Sequence, residues 1–575
     1  MAEKIIEARE ATLSYLFSEN FVFKIPIYQR PLSWNVDNFE QLFEDIKDSM
    51  NLAEGHFLGS IILQQVEKEQ NLYELVDGQQ RMIALTILLA VIRDNTTDNK
   101  LKEFTHKYIY QEEDPFKGIP EAMRVTPWKE LKDLFKKYIY SKGGTQRFLE
   151  DWERGIIRYK DTEDPKYHLW EAINIFTRRI KEIKNLKDFV THMMRNVYVV
   201  CIKTKNLTTA YRLFNVLNTR GLPLTISDLL KSENLGVIKD ERKRELYGER
   251  WLKMERDLGR EELANVISYI RMIKKKEKAR LGIYEEYQQL FDKGILERGI
   301  KFIEYVEEIS DIYDRKILSP EITTSSEERD RYKNIVTLMR RFIPFSDWIP
   351  PLLAFDHKFK SDKYLMNFLL KLEKKVIMEW LAGFTASQRI TSLGKLIELI
   401  EVAQSPHELI NEMEKTLNWL TMYGYKNEEE LFKHELDDAR FYNRYRGRLA
   451  KYVLLRIDME RWELENFPGY PGTITVEHIL PQNPPENSEW VKLFTKEQRD
   501  EWTNKLGNLV LLSGRKNSRA QNYDFKRKKE VYFKEKCTPF RITQELENIN
   551  TWNPEELFRR HQHLINEFVS IYSKI

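Results

Sequence analysis

Residues 474–481 read Ile474-Thr475-Val476-Glu477-His478-Ile479-Leu480-Pro481, a β-branched run closed by an acid, a histidine and, three positions later, a proline. β-Branched residues favour a pleated strand, and proline cannot continue its ladder, so a strand ending near His478 is predicted. Downstream, Leu506-Gly507-Asn508-Leu509-Val510-Leu511-Leu512 predicts a second strand entered through a glycine turn. Ser513-Gly514-Arg515-Lys516-Asn517-Ser518-Arg519 then predicts a turn into a helix. The order is strand, strand, helix, with Glu477-His478, Asn508 and Asn517 as its polar members. A basic segment follows. Between Ser513 and Lys536 nine Lys/Arg face three acids, a local charge of +6, where a phosphate backbone would sit.

The rest of the chain sets limits. At 575 residues it exceeds what one hydrophobic core supports, so two or three domains are expected. Charged residues make up 32%, yet 93 Lys+Arg against 90 Asp+Glu leave a net charge of only +3, so any contact with nucleic acid must come from local basic patches. The two cysteines, Cys201 and Cys537, rule out a disulfide framework or a cysteine-rich zinc site and suit a reducing cytosol. The first residues lack the apolar core of a secretory signal, and the apolar stretch Met82–Ile92 is too short to cross a bilayer. A cytoplasmic protein with no membrane partner is expected.

Three regions separate by pattern. Residues 1–235 mix short strands (Phe21–Ile25, Phe57–Gln65, Leu72–Val76, Asn196–Lys203) with helices. Residues 236–430 are helical and amphipathic, as in Lys301–Tyr313 and Lys363–Leu381, and form a connecting domain. Residues 431–575 open with a helix around Arg440–Glu460 and then enter the strand pair. Lys274 to Arg280 is basic, and a solvated helix face is its simplest reading.

A second constellation lies in the first region. Val76-Asp77-Gly78-Gln79-Gln80-Arg81 spans the junction of a strand and the apolar helix. Asp77 can cap that helix, Gly78 lets backbone approach a ligand, and the first-turn N–H groups with Arg81 suit an anion. Upstream stands Tyr28-Gln29-Arg30, and further on Asn218-Thr219-Arg220-Gly221. There is no Gly-x₄-Gly-Lys-Ser/Thr loop.

Together these pieces resemble GmrSD-type restriction proteins. Glu477-His478-Ile479-x-Pro481, Leu506-Gly507-Asn508-Leu509, Asn517 and Phe525-Lys526-Arg527-Lys528-Lys529 resemble the ββα-metal (HNH) nuclease domain at their C-terminus. Asp77-Gly78-Gln79-Gln80-Arg81 resembles the signature of their N-terminal ParB-like domain. The implied fold is a helix-dominated, multidomain α+β chain. It comprises a ParB-like α/β nucleotide-binding sensor (1–235), a helical middle (236–430) and an HNH nuclease held among helices (431–575).

The implied chemistry is cleavage of double-stranded DNA, modified phage DNA in particular. His478 would be the general base, Glu477 and Asn517 ligands of Mg²⁺ or Mn²⁺, and Asn508 a support for the loop behind His478. Lys516, Arg519, Lys526, Lys528 and Lys529 would contact DNA. In the first domain a nucleoside triphosphate of unspecified base would be held by Arg30, Gly78, Gln79, Gln80, Arg81 and Asn218, with Asp77 serving a metal or water. A homodimer is left open.

Each piece alone has an ordinary reading: a strand-end histidine, a hairpin Gly-Asn, a capping Asp-Gly, a solvated lysine helix. Their order favours the nuclease. The gap between His478 and Asn508 is longer than in compact motifs of this type and contains Pro484-Pro485 and Trp490. Two further readings remain open: a nicking enzyme and NTPase stimulated by phosphorothioate DNA, and a ParB-like DNA-binding or partner-sensing protein with an inactive nuclease.

Overall fold

The computed structural model describes residues 6–573 apart from 27, 28, 30, 51–54, 67–70, 117, 118, 163, 205–224, 418, 471 and 534–536. The chain divides into two compact units, Met1–Leu252 with Arg298–Ile300, and Lys253–Glu297 with Lys301–Ile575. The architecture is helix-dominated α+β.

The first unit is built on a mixed sheet. Its strands are β1 (Ile6–Thr12), β2 (Val22–Lys24), β3 (His56–Gln65), β4 (Leu72–Asp77), β5 (Val125–Thr126) and β6 (Val197–Thr204). Their order across the sheet is β1-β6-β3-β4-β2-β5. β3 and β4 are antiparallel neighbours with a register shift after Ile62, and β3 runs parallel to β6. A crossover is therefore obligatory between β3 and β6, and helices fill it. Chief among them is α1 (Gln79–Asn95), which is buried from Met82 to Arg93. A helix apolar all round must sit inside a core, and this one packs with Phe39, Phe43, Leu131 and Phe176. The stretch too short for a bilayer is thus a core helix, and no helix among the described residues is long and apolar enough to cross a membrane.

In the second unit the helices that follow residue 253 share a body with the C-terminal strand pair. α2 (Asp362–Leu381) and α3 (Arg448–Glu460) are joined by a fully buried ion pair, Arg456 Nε to Glu373 Oε1 at 2.8 Å, and the Tyr452 hydroxyl donates to the same oxygen at 2.7 Å. Two charges without exposed surface are tolerated only because they neutralise each other and are hydrogen-bonded.

The helix expected over Arg440–Glu460 begins only at Arg448. Before it, Phe441–Gly447 is a kinked turn in which Tyr445 (φ 52°) and Arg446 (φ 54°) adopt left-handed backbone. The strand pair is β7 (Ile474–His478) antiparallel to β8 (Leu509–Ser513). Helices α4 (Gly514–Ala520), α5 (Phe525–Phe533) and α6 (Pro554–Ser573) follow it. Cys201 is buried and Cys537 exposed, and neither is bridged.

Candidate functional site

The β7–β8 register pairs His478 with Leu509 and Glu477 with Val510. Side chains alternate along a strand, so Glu477 shares a face with Val510 and Leu512. Both of those pack in the core that contains Ala520, Phe525 and Tyr532 of α4 and α5. His478 faces the other way, against the Tyr442 ring at 4.3 Å between centroids.

His478 is buried, and its Nε2 lies 3.1 Å from Asn504 Oδ1. An amide oxygen only accepts, so Nε2 carries the proton and Nδ1 keeps the lone pair. Burial pulls the imidazole down to about 4, opposed by the Asn504 bond and aided by the nearby Lys528 ammonium, so the ring is neutral at pH 7. Sequence reasoning misses Asn504. It stands 26 positions from His478, in a turn whose sequence carries no signal for the pairing.

The turn before β8 explains the Leu506-Gly507-Asn508 run. Asn508 is fully buried: its Oδ1 accepts from Leu480 N–H at 2.8 Å, and its Nδ2 donates to Leu480 O and Thr503 O, each at 2.8 Å. Three bonds from one side chain tie the segment after His478 to the turn before β8. A Cβ on Gly507 would stand 2.5 Å from His561 Cβ, so only glycine lets the turn meet α6. There Gly507 N–H donates to His561 Nδ1 at 3.1 Å, and His561 Nε2 bonds Asp437 Oδ1 at 2.9 Å.

Glu477 is buried, and its Oε1 accepts from Lys528 Nζ at 2.7 Å; the same ammonium donates to His478 O at 2.5 Å. Burial raises the Glu477 carboxyl and Lys528 lowers it, the first effect being the larger. Asn517 is half-buried on α4, the helix that packs against this face of the ribbon. The carboxylate and amide oxygens suit a hard divalent ion in donor type. Lys528 is the competitor for the same carboxylate, since a divalent ion about 4 Å from an ammonium is repelled by roughly 8 kcal/mol at an effective dielectric of 20. Ion and ammonium therefore exclude each other at Glu477. Among the described residues no group of three or more His, Cys, Asp or Glu is placed to hold a metal.

The basic segment is arranged differently from the expectation of a DNA-facing row. Lys528 is 1% exposed and committed to Glu477, so a phosphate does not reach it. Lys516 Nζ donates to Val531 O and Tyr532 O, each at 2.8 Å, capping the end of α5. Lys529 Nζ donates to Glu547 O and Ile549 O, each at 2.7 Å. Arg519 and Lys526 remain exposed.

In the first unit, Gly78 is the N-cap of α1, with φ 86° and no side-chain cap, so Asp77 does not cap the helix. A Cβ on Gly78 would lie 2.6 Å from Ile61 Cγ2, so close packing and left-handed backbone both demand glycine. Arg81 Nη1 donates to Ser60 O at 3.0 Å. Burial lowers the guanidinium's pKa, and the Asp77 carboxylate works against that.

The two glutamines expected to orient a nucleotide are buried and bonded elsewhere. Gln79 Nε2 donates to Gln29 Oε1 at 3.0 Å, and Gln80 takes Ser33 N–H at 3.0 Å while donating to Pro31 O at 2.9 Å. Gln29 in turn donates to Val76 O at 2.8 Å, and its own carbonyl accepts Trp128 Nε1 at 3.0 Å. The pair is a latch on Gln29, Pro31 and Ser33. Arg30 and Asn218 lie outside the described residues.

Two family models match the chain. Residues 13–235 match the N-terminal domain of GmrSD restriction endonucleases, and residues 426–567 match the C-terminal domain of GmrSD restriction endonucleases. No curated protein matches it. With one match at each end, together covering well over half the sequence, the chain belongs to the GmrSD restriction endonuclease family.

Proposed function

We propose that this chain is a modification-dependent (type IV) DNA restriction endonuclease acting against phage DNA, with an HNH-type nuclease site centred on His478. The observation that carries the reading is the His478–Asn504 bond at 3.1 Å. It presents Nδ1 as a neutral, fixed acceptor, as the removal of a proton from an attacking water requires. Asn508 holds the backbone behind the imidazole, and Tyr442 closes one side of it. Glu477 and Asn517 would hold Mg²⁺ or Mn²⁺, and such an ion supplies charge neutralisation at the phosphate. When the ion is absent, Lys528 stabilises the Glu477 carboxylate and braces the His478 carbonyl.

In the first unit we propose nucleoside triphosphate binding at the start of α1, with the first-turn N–H groups and Arg81 toward phosphate and Asp77 toward metal or water. Gln79 and Gln80 would act by holding the 29–33 segment beside it. Unchanged NTP turnover in Asp77→Ala and Arg81→Ala would remove this part of the reading.

The decisive experiment is cleavage of modified against unmodified phage DNA, with and without nucleotide and divalent ion, by the wild type and His478→Ala. Cleavage by the wild type that His478→Ala abolishes is the expected result. Cleavage that survives His478→Ala overturns it.

A further inference from the structure

Lys516, Lys528 and Lys529 are spent on carbonyls and on Glu477, so the basic segment offers the DNA backbone fewer groups than its charge suggests. The kinked turn before α3 supplies others. Its sequence, Arg440-Phe441-Tyr442-Asn443-Arg444-Tyr445-Arg446-Gly447-Arg448, interleaves arginines with aromatics. Tyr442 packs on His478 at 4.3 Å, and its N–H donates at 3.0 Å to the carbonyl of Asn504, the residue that fixes the imidazole. Gly447 also packs on the Tyr442 ring, where a Cβ would come within 2.9 Å of Cε2. The turn therefore meets the imidazole through the Tyr442 ring.

Arg446 and Arg448 flank Gly447, and both are exposed. Among the described residues neither forms an ion pair. By contrast, the acids on the other side of the turn are occupied: Glu435 pairs with Arg444, and Asp437 pairs with Lys505 and His561. Burial and the neighbouring Arg448 lower the pKa of Lys451, which marks like charges gathered on one face. The backbone is held in this form at a cost. Tyr445 and Arg446 are successive non-glycine residues in the left-handed region, which residues with a Cβ disfavour. The strain is held by Tyr445 OH donating to Trp380 O at 3.2 Å and by Arg444 bonding Leu381 O and Glu435. Strain of this kind persists where the surroundings over-determine it, and here it falls in the turn whose Tyr442 packs on His478 and whose Arg446 and Arg448 are exposed.

We infer that Arg446 and Arg448, flanking the glycine that packs on Tyr442, form the track that binds the DNA phosphate backbone and leads it to His478. The inference rests on the nuclease reading above and names the residues by which that site holds its substrate. It assigns these arginines to phosphate, so they contribute affinity without sequence preference.

The test is fluorescence anisotropy with a short fluorescein-labelled duplex over a salt series, using the full chain carrying His478→Ala so that DNA is not consumed. Arg446→Gln/Arg448→Gln should weaken binding by roughly tenfold or more and flatten the log K against log salt slope by about 2, close to 0.9 for each phosphate no longer neutralised. Arg446→Lys/Arg448→Lys should restore the slope, which separates lost charge from lost folding. An unchanged slope and affinity in the Gln variant overturns the inference. So does an absence of salt-dependent binding before the arginines are changed. The nuclease reading fails separately, if DNA is still cut by His478→Ala.

Discussion

His478 and Asn504 are joined at 3.1 Å with the amide oxygen facing Nε2, which leaves the lone pair of the neutral ring on Nδ1. The pair is also held from a second direction, because Gln482 Nε2 donates to the same oxygen at 3.1 Å. Asn504 thus orients the imidazole proposed as the general base. Asn504→Ala should lower single-turnover DNA cleavage by about 10²-fold, towards the loss that removal of a general base produces. Asn504→Asp should instead raise the imidazole pKa and shift the acid limb of the pH–rate profile upward. A profile identical to wild type in Asn504→Asp would contradict the positioning role.

The neutral state of His478 has its own signature. In metal-free protein its imidazole should titrate near pH 4, read from its ring resonances by NMR. The folded pKa lies below the unfolded value of about 6.5, so protonation favours the unfolded chain. The stability it supports is intact above pH 6.5 and is lost as pH falls towards 4. The total is about 3 kcal/mol at 1.36 kcal/mol per pKa unit. Urea melts across that window should show the decline, and His478→Gln should reduce it. A histidine resonance assigned to His478 that titrates at 6.5 would defeat this account.

Much of this site can be read from the residues alone, and the parts that cannot share a physical reason. The strand ending at His478, the strand after Asn508 and the helix with Asn517 are local: β-branching, a turn glycine and composition encode them. Partnerships across the chain have no such trace. Gln79 and Gln80 follow Asp77-Gly78 directly, which suggests ligand contact, but their partners are Gln29, Pro31 and Ser33, about 50 residues away. A count of charges puts DNA on Lys516, Lys528 and Lys529, since composition cannot show which ammonium groups meet carbonyls. Helix propensity over Arg440–Glu460 likewise hides the left-handed break at Tyr445 and Arg446.

Asn508 offers the sharpest stability test. It is fully buried, and each of its three bonds leaves a buried backbone group without a partner when removed. At roughly 1–3 kcal/mol per orphaned group, Asn508→Ala should cost at least about 3 kcal/mol and reduce cleavage with it. Asn508→Asp keeps the acceptor for Leu480 N–H and loses both donors, so its loss should remain large. A urea midpoint within experimental error of wild type for both variants would refute the clamp.

The latch in the first unit predicts a local effect. Gln80→Leu removes the acceptor of Ser33 N–H and the donor to Pro31 O, and should cost about 1–3 kcal/mol. Because the loss falls on Pro31 and Ser33, limited proteolysis should cut near them faster while the helices of the second unit stay protected. Uniform protection in Gln80→Leu would argue that the glutamine serves a ligand and not the fold.

The divalent ion proposed at Glu477 would compete with Lys528 for the carboxylate, and that competition is measurable without any substrate. Lys528→Met breaks a buried pair and should destabilise the protein by about 3–5 kcal/mol. It also removes the ammonium that repels an incoming ion, so Mn²⁺ should bind the variant more tightly than wild type and recover part of the lost stability. Ligand linkage sets the scale, about 2.7 kcal/mol when free ion reaches 100 times its dissociation constant. Calorimetric titration and thermal melts with and without Mn²⁺ read both quantities. The increment should be larger in Lys528→Met than in wild type and should vanish in Lys528→Met/Glu477→Gln, because the carboxylate is the shared ligand. Equal Mn²⁺ increments in all three proteins would place the ion elsewhere and leave Lys528 as the permanent counter-charge of Glu477.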